Sequence, residues 1–204
     1  MMKRTQRLLV LFAHPALEKS RVNSRMVDAV RRLPGVQFHD LYEAYPDFAI
    51  DVEYEQSLLA ASDVVVMQHP LYWYSTPALL KEWEDLVLVH GWAYGTGGTA
   101  LAGKTMFSVI TTGGGEESYC AEGYNRFSLR QLLAPIEQTA ILCGMDYLPP
   151  FVVHGTHRFG EREIVRHAAD YRRLIQALVD GTLDVGAARS FVRLNSDLDA
   201  VISS

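Results

Sequence analysis

Residues 63–75 read Asp63-Val64-Val65-Val66-Met67-Gln68-His69-Pro70-Leu71-Tyr72-Trp73-Tyr74-Ser75, an apolar run that opens into three consecutive aromatics. The run shows no alternation of apolar and polar side chains, so residues 63–68 read as a strand buried on both faces. Such a strand belongs to a parallel sheet covered by helices. The neighbouring sequence repeats the pattern. Residues 7–13 (RLLVLFA) form an earlier buried run, and residues 104–112 form a later one that leads into Thr111-Thr112-Gly113-Gly114-Gly115.

Working outward from these runs, Val22, Met26, Val27, Val30 and Leu33 fall at helical spacing and predict a helix over 22–33 that Pro34-Gly35 stops. Residues 36–42 read as a strand, 53–61 as a helix, and 77–90 as a helix with Pro77 in its first turn, where the missing N–H costs nothing. A helix over 128–143 is expected to bend near Pro135. Residues 151–154 read as a short last strand. Residues 161–179 read as a last helix, ended by Asp180-Gly181. Alternating strands and helices imply an α/β protein: a flavodoxin-like three-layer sandwich with a five-stranded parallel sheet in the order 2-1-3-4-5. The expected domain is 1–181. Residues 182–204 are a C-terminal tail, read either as a subunit-docking arm or as a frayed end.

The chain has 204 residues, enough for one domain with a full core, and carries a net charge of -5 with no basic cluster, which argues against a nucleic-acid partner. Its apolar runs are too short to span a bilayer. Met1-Met2-Lys3-Arg4 is charged, and the apolar stretch behind it is brief and lacks a cleavage pattern, so no secretory signal is expected. Cys120 and Cys143 form no motif and read as small buried or half-buried hydrophobes. A cytoplasmic location fits.

In the expected strand order a ligand crevice opens at the carboxyl ends of the first and third strands. The unusual loops follow those ends. After the first strand, Ala13-His14-Pro15 leads through Ser20, Arg21, Val22 and Asn23 into a helix start, where unpaired amides and a positive dipole end favour a phosphate. The other reading is that Ser20 only caps the helix and His14 is a turn residue. Lys19 and Arg21 read as solvated charges, with Arg21 also placed to neutralise a phosphate. No Walker loop or GxGxxG is present. Three aromatics in one loop cannot all point inward, so at least one faces a crevice or a partner. Gly113-Gly114-Gly115 lets backbone amides approach a ligand closely. Amide donors beside an isoalloxazine stabilise the negative charge that it gains on reduction.

These segments carry a resemblance. With Asp40-Leu41-Tyr42, Tyr45-Pro46-Asp47-Phe48, Pro77-Ala78-Leu79-Leu80-Lys81-Glu82-Trp83 and His90-Gly91-Trp92-Ala93-Tyr94-Gly95, they make the chain similar to the NAD(P)H:quinone oxidoreductase family of flavodoxin-like flavoproteins. Within that family it most resembles the ancillary proteins of bacterial glutathione-regulated potassium-efflux systems, collinearly over about the first 155 residues. The resemblance implies FMN held by His14, Ser20, Arg21, Val22, Asn23, Leu71, Tyr72, Trp73, Tyr74, Thr111, Thr112, Gly113 and Gly114. It implies a homodimer with two composite sites. It also implies ping-pong hydride transfer from NADPH or NADH to the flavin and on to a quinone. Tyr119 falls where human-type relatives carry a tyrosine that assists the transfer, and it reads either as a catalytic donor or as pocket lining. Their histidine position holds Asn125, which cannot act as a general acid near neutral pH. The resemblance further implies a regulatory partnership with a potassium:proton antiporter, placing the protein at the periphery of the inner membrane. The alternative is that this binding role is the main one, with little or no enzymatic activity. A one-electron carrier fits less well, because the first loop lacks the Ser/Thr/Gly-rich phosphate pattern of true flavodoxins.

Other signals point elsewhere. His154 and His157 have no third ligand cluster beside them, so no metal is expected. Glu116-Glu117 reads as a solvated edge. The glycine-rich stretch 94–104 reads as a loop over the partner subunit's site. The face formed by Leu79, Leu80, Trp83, Leu86 and Val87 reads as core and dimer seam together.

Overall fold

The computed structural model describes residues 5–203. Met1 to Arg4, on which the absence of a secretory signal was partly read, and Ser204 lie outside the described residues. The strands are β1 (Leu8–Phe12), β2 (Val36–Asp40), β3 (Val64–Pro70), β4 (Thr105–Thr111), β5 (Asp146–Tyr147) and β6 (Phe151–Val153). The α-helices are α1 (Arg21–Val30), α2 (Leu41–Ala44), α3 (Val52–Ala61), α4 (Ala78–Val87), α5 (Leu129–Leu132), α6 (Ala134–Leu142), α7 (Glu161–Val179), α8 (Val185–Ala188) and α9 (Leu198–Val201). The sheet is parallel throughout, and its order is β2-β1-β3-β4-β5, as the alternation of elements requires.

The fifth position is held by two pieces. Asp146 and Tyr147 pair with the start of β4, and β6 pairs with its end. Between them lie Pro149 and Pro150, which have no N–H to offer a ladder, so one strand cannot run through. The sequence showed β6 and hid β5.

Adjacent residues on each central strand face opposite layers. Leu8, Val10, Val64, Val66, Phe107 and Val109 pack beneath α1 and α7. Leu9, Leu11, Val65, Met67, Met106 and Ile110 pack beneath α3, α4 and α6. Each fully buried Leu or Phe contributes about 1.5–3 kcal/mol against the entropy of ordering the chain. Trp83, Phe12, Phe107 and Phe151 are among the largest such side chains.

Several boundaries shift for local reasons. Asp40 accepts from the amides of Tyr42 and Glu43, so the chain leaves β2 early and turns into the short α2. Pro77 stands at the N-cap of α4, which closes at Val87. The helix expected over 128–143 breaks into α5 and α6 at Leu133, just before Pro135. Cys143 is buried, but Cys120 is exposed, so the burial expected of it is not met.

The segment after Gly181 does not fray. Leu183, Ala188, Leu194, Leu198 and Val201 are buried in the layer formed with α1 and α7. Leu183 and Ile202 form an antiparallel bridge that closes the segment on itself. On the opposite face, the Glu55 carboxylate is wholly buried and accepts from His39 Nε2 (2.6 Å), the Tyr45 hydroxyl (2.6 Å) and Trp83 Nε1 (2.8 Å). Burial pushes its pKa up, but the three hydrogen bonds outweigh that and hold it below the ordinary value.

Candidate functional site

The carboxyl ends of β1, β3 and β4 meet at a cleft of about 310 Å³. Its floor on one side is the start of α1. Ser20 is the N-cap, and its Oγ accepts from the Asn23 amide at 3.2 Å. Asn23 Nδ2 donates back to Ser20 Oγ and across to Thr111 Oγ1, both at 3.0 Å, tying α1 to the end of β4. Asn23 is buried, and its Oδ1 has no hydrogen-bond partner. A buried acceptor left unpaired costs about 1–3 kcal/mol, a cost that a ligand donor would remove. The first-turn amides of Arg21 and Val22 have no intrahelical acceptor and open on the same space. The Arg21 guanidinium is turned aside and donates to the Phe159 carbonyl at 3.2 Å.

His14 lies over this helix start. Ala16 N–H donates to its Nδ1 at 3.1 Å. Burial pushes the His14 pKa down, only partly opposed by Glu18, so the ring is neutral near pH 7 with its proton on Nε2, available as a donor. Tyr72 packs edge-on against His14, with centroids 5.8 Å apart.

On the far side, Tyr72 and Ser75 exchange two backbone hydrogen bonds, of 3.1 and 3.0 Å, and make a two-residue hairpin. Its central residues, Trp73 (φ 48°) and Tyr74 (φ 64°), are both left-handed. Two-residue hairpins demand that geometry, which normally selects Asn or Gly. For other residues it costs roughly 1–2 kcal/mol each. The turn holds Trp73 93% exposed.

The glycine turn closes the third side. A Cβ on Gly113 would lie 2.5 Å from His157 Nε2, so a side chain there would push the exposed His157 ring aside. Thr112 Oγ1 donates to the Gly114 carbonyl at 2.8 Å and lies 3.1 Å from His154 Nδ1. Tyr119 packs on His154, with ring centroids 5.3 Å apart. Burial raises its pKa, and hydrogen bonds to Thr112 and Asn125 oppose the shift. The Tyr74 hydroxyl donates to Asn125 Oδ1 at 3.3 Å, linking the hairpin to this cluster. Burial, with Arg193 nearby, drives the His154 pKa down to about 4.

Of the residues singled out in the sequence, His14, Ser20, Arg21, Val22, Asn23, Leu71, Tyr72, Thr111 and Gly113 line the cleft. Trp73 and Tyr74 stand on the hairpin beside it. Thr112, Gly114 and Tyr119 do not line the cleft; with His154 they form an outer cluster beside the glycine turn. Lys19, Thr156 and His157 also line the cleft. Lys19 is exposed, as a solvated charge would be, and borders the cleft at the same time, while the sequence shows His157 only as half of a histidine pair. Their place beyond the ends of β1 and β6 is the signal that finds them. His154 and His157 face different surroundings, and no group of three metal-ligating side chains exists among the described residues. Glu116 and Glu117 are exposed but paired, with Arg193 (2.9 Å) and Arg158 (3.3 Å). No helix among the described residues is long and apolar enough to cross a membrane.

Comparison with known proteins bears on the fold and the family. Residues 6–175 match the family model described as "Flavodoxin-like fold". The glutathione-regulated potassium-efflux system ancillary protein KefG of Yersinia enterocolitica is 45% identical over 177 residues, covering 87% of this chain and 96% of the relative. The corresponding protein KefF of Citrobacter koseri is 44% identical, covering 83% and 96%. Among solved structures, general stress protein 14 of Treponema denticola in complex with FMN superposes with a TM-score of 0.81 at 40% identity, covering 84% of this chain and 99% of that one. An NADPH-quinone reductase from P. pentosaceus superposes with a TM-score of 0.75 at 33% identity, covering 82% and 96%.

Proposed function

The chain belongs to the family with the flavodoxin-like fold, and from that premise we propose that it is an FMN-dependent NAD(P)H:quinone oxidoreductase that also serves as the ancillary subunit of a potassium-efflux antiporter. The observation that carries the flavin reading is the unpaired, buried Asn23 Oδ1 in the cleft wall. It needs a hydrogen-bond donor, and a ribityl hydroxyl is one. The residues around it fit the remaining parts of FMN. The Arg21 and Val22 amides, the Ser20 cap and the His14 Nε2–H suit its phosphate. Leu71, Tyr72, Trp73 and Tyr74 offer flat apolar surface. Thr111, Thr112, Gly113 and Gly114 bring backbone to the rim. When bound, FMN supplies two-electron hydride chemistry that no side chain here can perform. The protein's own part is to orient the ring, exclude water and hold a proton at the Tyr119 hydroxyl.

NADPH or NADH and a quinone would use the same open face in turn. A second copy of the chain would complete that face. Trp73, Tyr124 (89% exposed) and Phe127 are aromatics left at the surface beside the hairpin and the 119–128 loop. Leu86 on α4, Val89 just beyond it, and Ile141 and Leu142 on α6 are further exposed apolar side chains. The antiporter role is supported by the KefG and KefF likeness, and such a partner would hold the protein at the cytoplasmic side of the inner membrane.

One observation favours the binding role alone. Asn125 stands where the resemblance implies a histidine in human-type quinone oxidoreductases, and it accepts from Tyr74, so that position supplies no imidazole. Assay of the FMN-reconstituted protein with NADPH or NADH and a benzoquinone separates the readings. Turnover supports the enzyme, and its absence in a yellow protein leaves the antiporter role, tested by potassium efflux with the cognate transporter. A protein that stays colourless after exposure to FMN rejects the flavin reading.

A further inference from the structure

The family match stops at residue 175, yet the chain continues as an ordered segment that reaches the outer cluster beside the glycine turn. We propose that residues 193–195 of this segment are a strap that fixes the glycine turn from behind, with Arg193 as a positioning residue for the cofactor ring. The proposal rests on the flavin reading above.

The strap is anchored by Leu194, which is fully buried and whose amide donates to the Pro150 carbonyl at 2.9 Å. Two arms extend from it. In the first, Arg193 Nη1 lies 2.9 Å from Glu116 Oε2. Glu116 opens the short 3₁₀ turn directly after Gly115. In the second, Asn195 Oδ1 accepts from the Val152 amide (3.0 Å) and Asn195 Nδ2 donates to the Val152 carbonyl (2.8 Å). A side-chain amide thereby satisfies the open edge of β6 as a further strand would.

From β6 the constraint passes on through the backbone. The Gly155 amide donates to the Gly114 carbonyl at 2.8 Å, and the Thr156 amide donates to the Thr112 carbonyl at 3.0 Å. His154 Nδ1 meets Thr112 Oγ1. Both arms therefore converge on residues 112–116, one at each end of the glycine turn. Three glycines in succession carry no side chains, and the internal tie from Thr112 Oγ1 to the Gly114 carbonyl holds only the first half of the turn. Contacts from outside are needed to hold the rest of the turn so that its amides face a ligand in a fixed direction. The tail supplies that support.

An exposed ion pair contributes little to global stability, so Arg193→Gln is expected to shift the melting temperature by no more than about 2 °C. In the cofactor-free chain, hydrogen–deuterium exchange at residues 112–119 is expected to rise by about fivefold or more, because the turn opens locally without global unfolding. FMN affinity, read by quenching of flavin fluorescence, is expected to weaken by about fivefold as binding re-orders the turn. Arg193→Lys restores part of both. Glu116→Gln removes the same tie from the other side and reproduces Arg193→Gln if the pair acts as a unit. Exchange at the wild-type rate in both variants overturns the proposal, as does faster exchange with an unchanged dissociation constant for FMN. If the wild type binds no FMN, the flavin reading falls, and the strap stands or falls on exchange in the cofactor-free chain.

Discussion

The two ends of the cleft are built in opposite ways. At the α1 end, Ser20, Asn23 and Thr111 are joined by hydrogen bonds of 3.0–3.2 Å among buried and half-buried atoms, and the helix start is finished before any ligand arrives. At the hairpin end, Trp73 and Tyr74 sit in left-handed backbone, with the indole in solvent and the Tyr74 ring about half exposed. The first end is stable and satisfied apart from one acceptor. The second stores strain and exposes apolar surface. An anion site can be preorganised by one chain because backbone amides and a helix dipole suffice. A surface for a large flat ring must stay open to admit substrates, so its stability is given up where the chemistry occurs.

Substitutions at the two ends should therefore differ in sign as well as in size. The largest effect expected is on turnover. Tyr119→Phe removes the hydroxyl in the outer cluster and should lower kcat by about 10²-fold, while the urea midpoint stays close to that of wild type. A variant with wild-type kcat would reduce Tyr119 to pocket lining. Next is Asn23→Ala. It deletes two buried hydrogen bonds and the unpaired acceptor, and should cost about 2 kcal/mol in stability and weaken FMN binding by about 30-fold. Urea unfolding and fluorescence titration read the two quantities separately. The third runs the other way. Trp73→Gly relieves one left-handed residue and should stabilise the chain by roughly 1 kcal/mol while weakening FMN. Lost stability there would mean that the indole is packed rather than poised, and the contrast between the ends would fail.

The pH dependence sharpens the contrast further. Burial, opposed in part by a hydrogen bond to the Pro70 carbonyl, drives the His69 pKa down to about 4, and His154 is held at about 4 mainly by burial. The unfolded chain takes up these protons near pH 6.5, and the folded chain refuses them until about pH 4. Stability is thus complete above pH 6.5 and falls as the pH drops towards 4. His154→Asn should remove only the ring-end share of that loss, seen as a smaller difference between urea midpoints at pH 7.5 and pH 5.

The frame of the fold was legible because β1, β3 and β4 are continuous apolar runs, and α1 and α7 carry clean helical spacing up to glycine stops. What escaped was set by distance or by brevity. β5 is two residues long and is cut off by Pro149-Pro150. α2 depends on one aspartate cap. The Glu55 cluster gathers His39, Tyr45 and Trp83, whose separations in the chain carry no periodic signal. The tail lacks a helical or strand period because it packs in short turns, so its buried leucines read as sparse. In the site, the α1 and glycine-turn residues were legible from their types. Thr156 and His157 were not, because the sheet alone brings the end of β6 beside the end of β4, and Lys19 was not, because an exposed lysine in the β1–α1 loop carries no signal of its own.

The most direct test of the central claim is to titrate the purified chain with FMN and, separately, with riboflavin, which has the same ring and ribityl chain but no phosphate. The account predicts one FMN bound per chain with quenched fluorescence, and riboflavin weaker by at least about 10²-fold, the loss of a charged group at a helix start ringed by donors. Equal affinity for the two would remove the phosphate from the α1 end, and binding of neither would remove the flavin from the cleft.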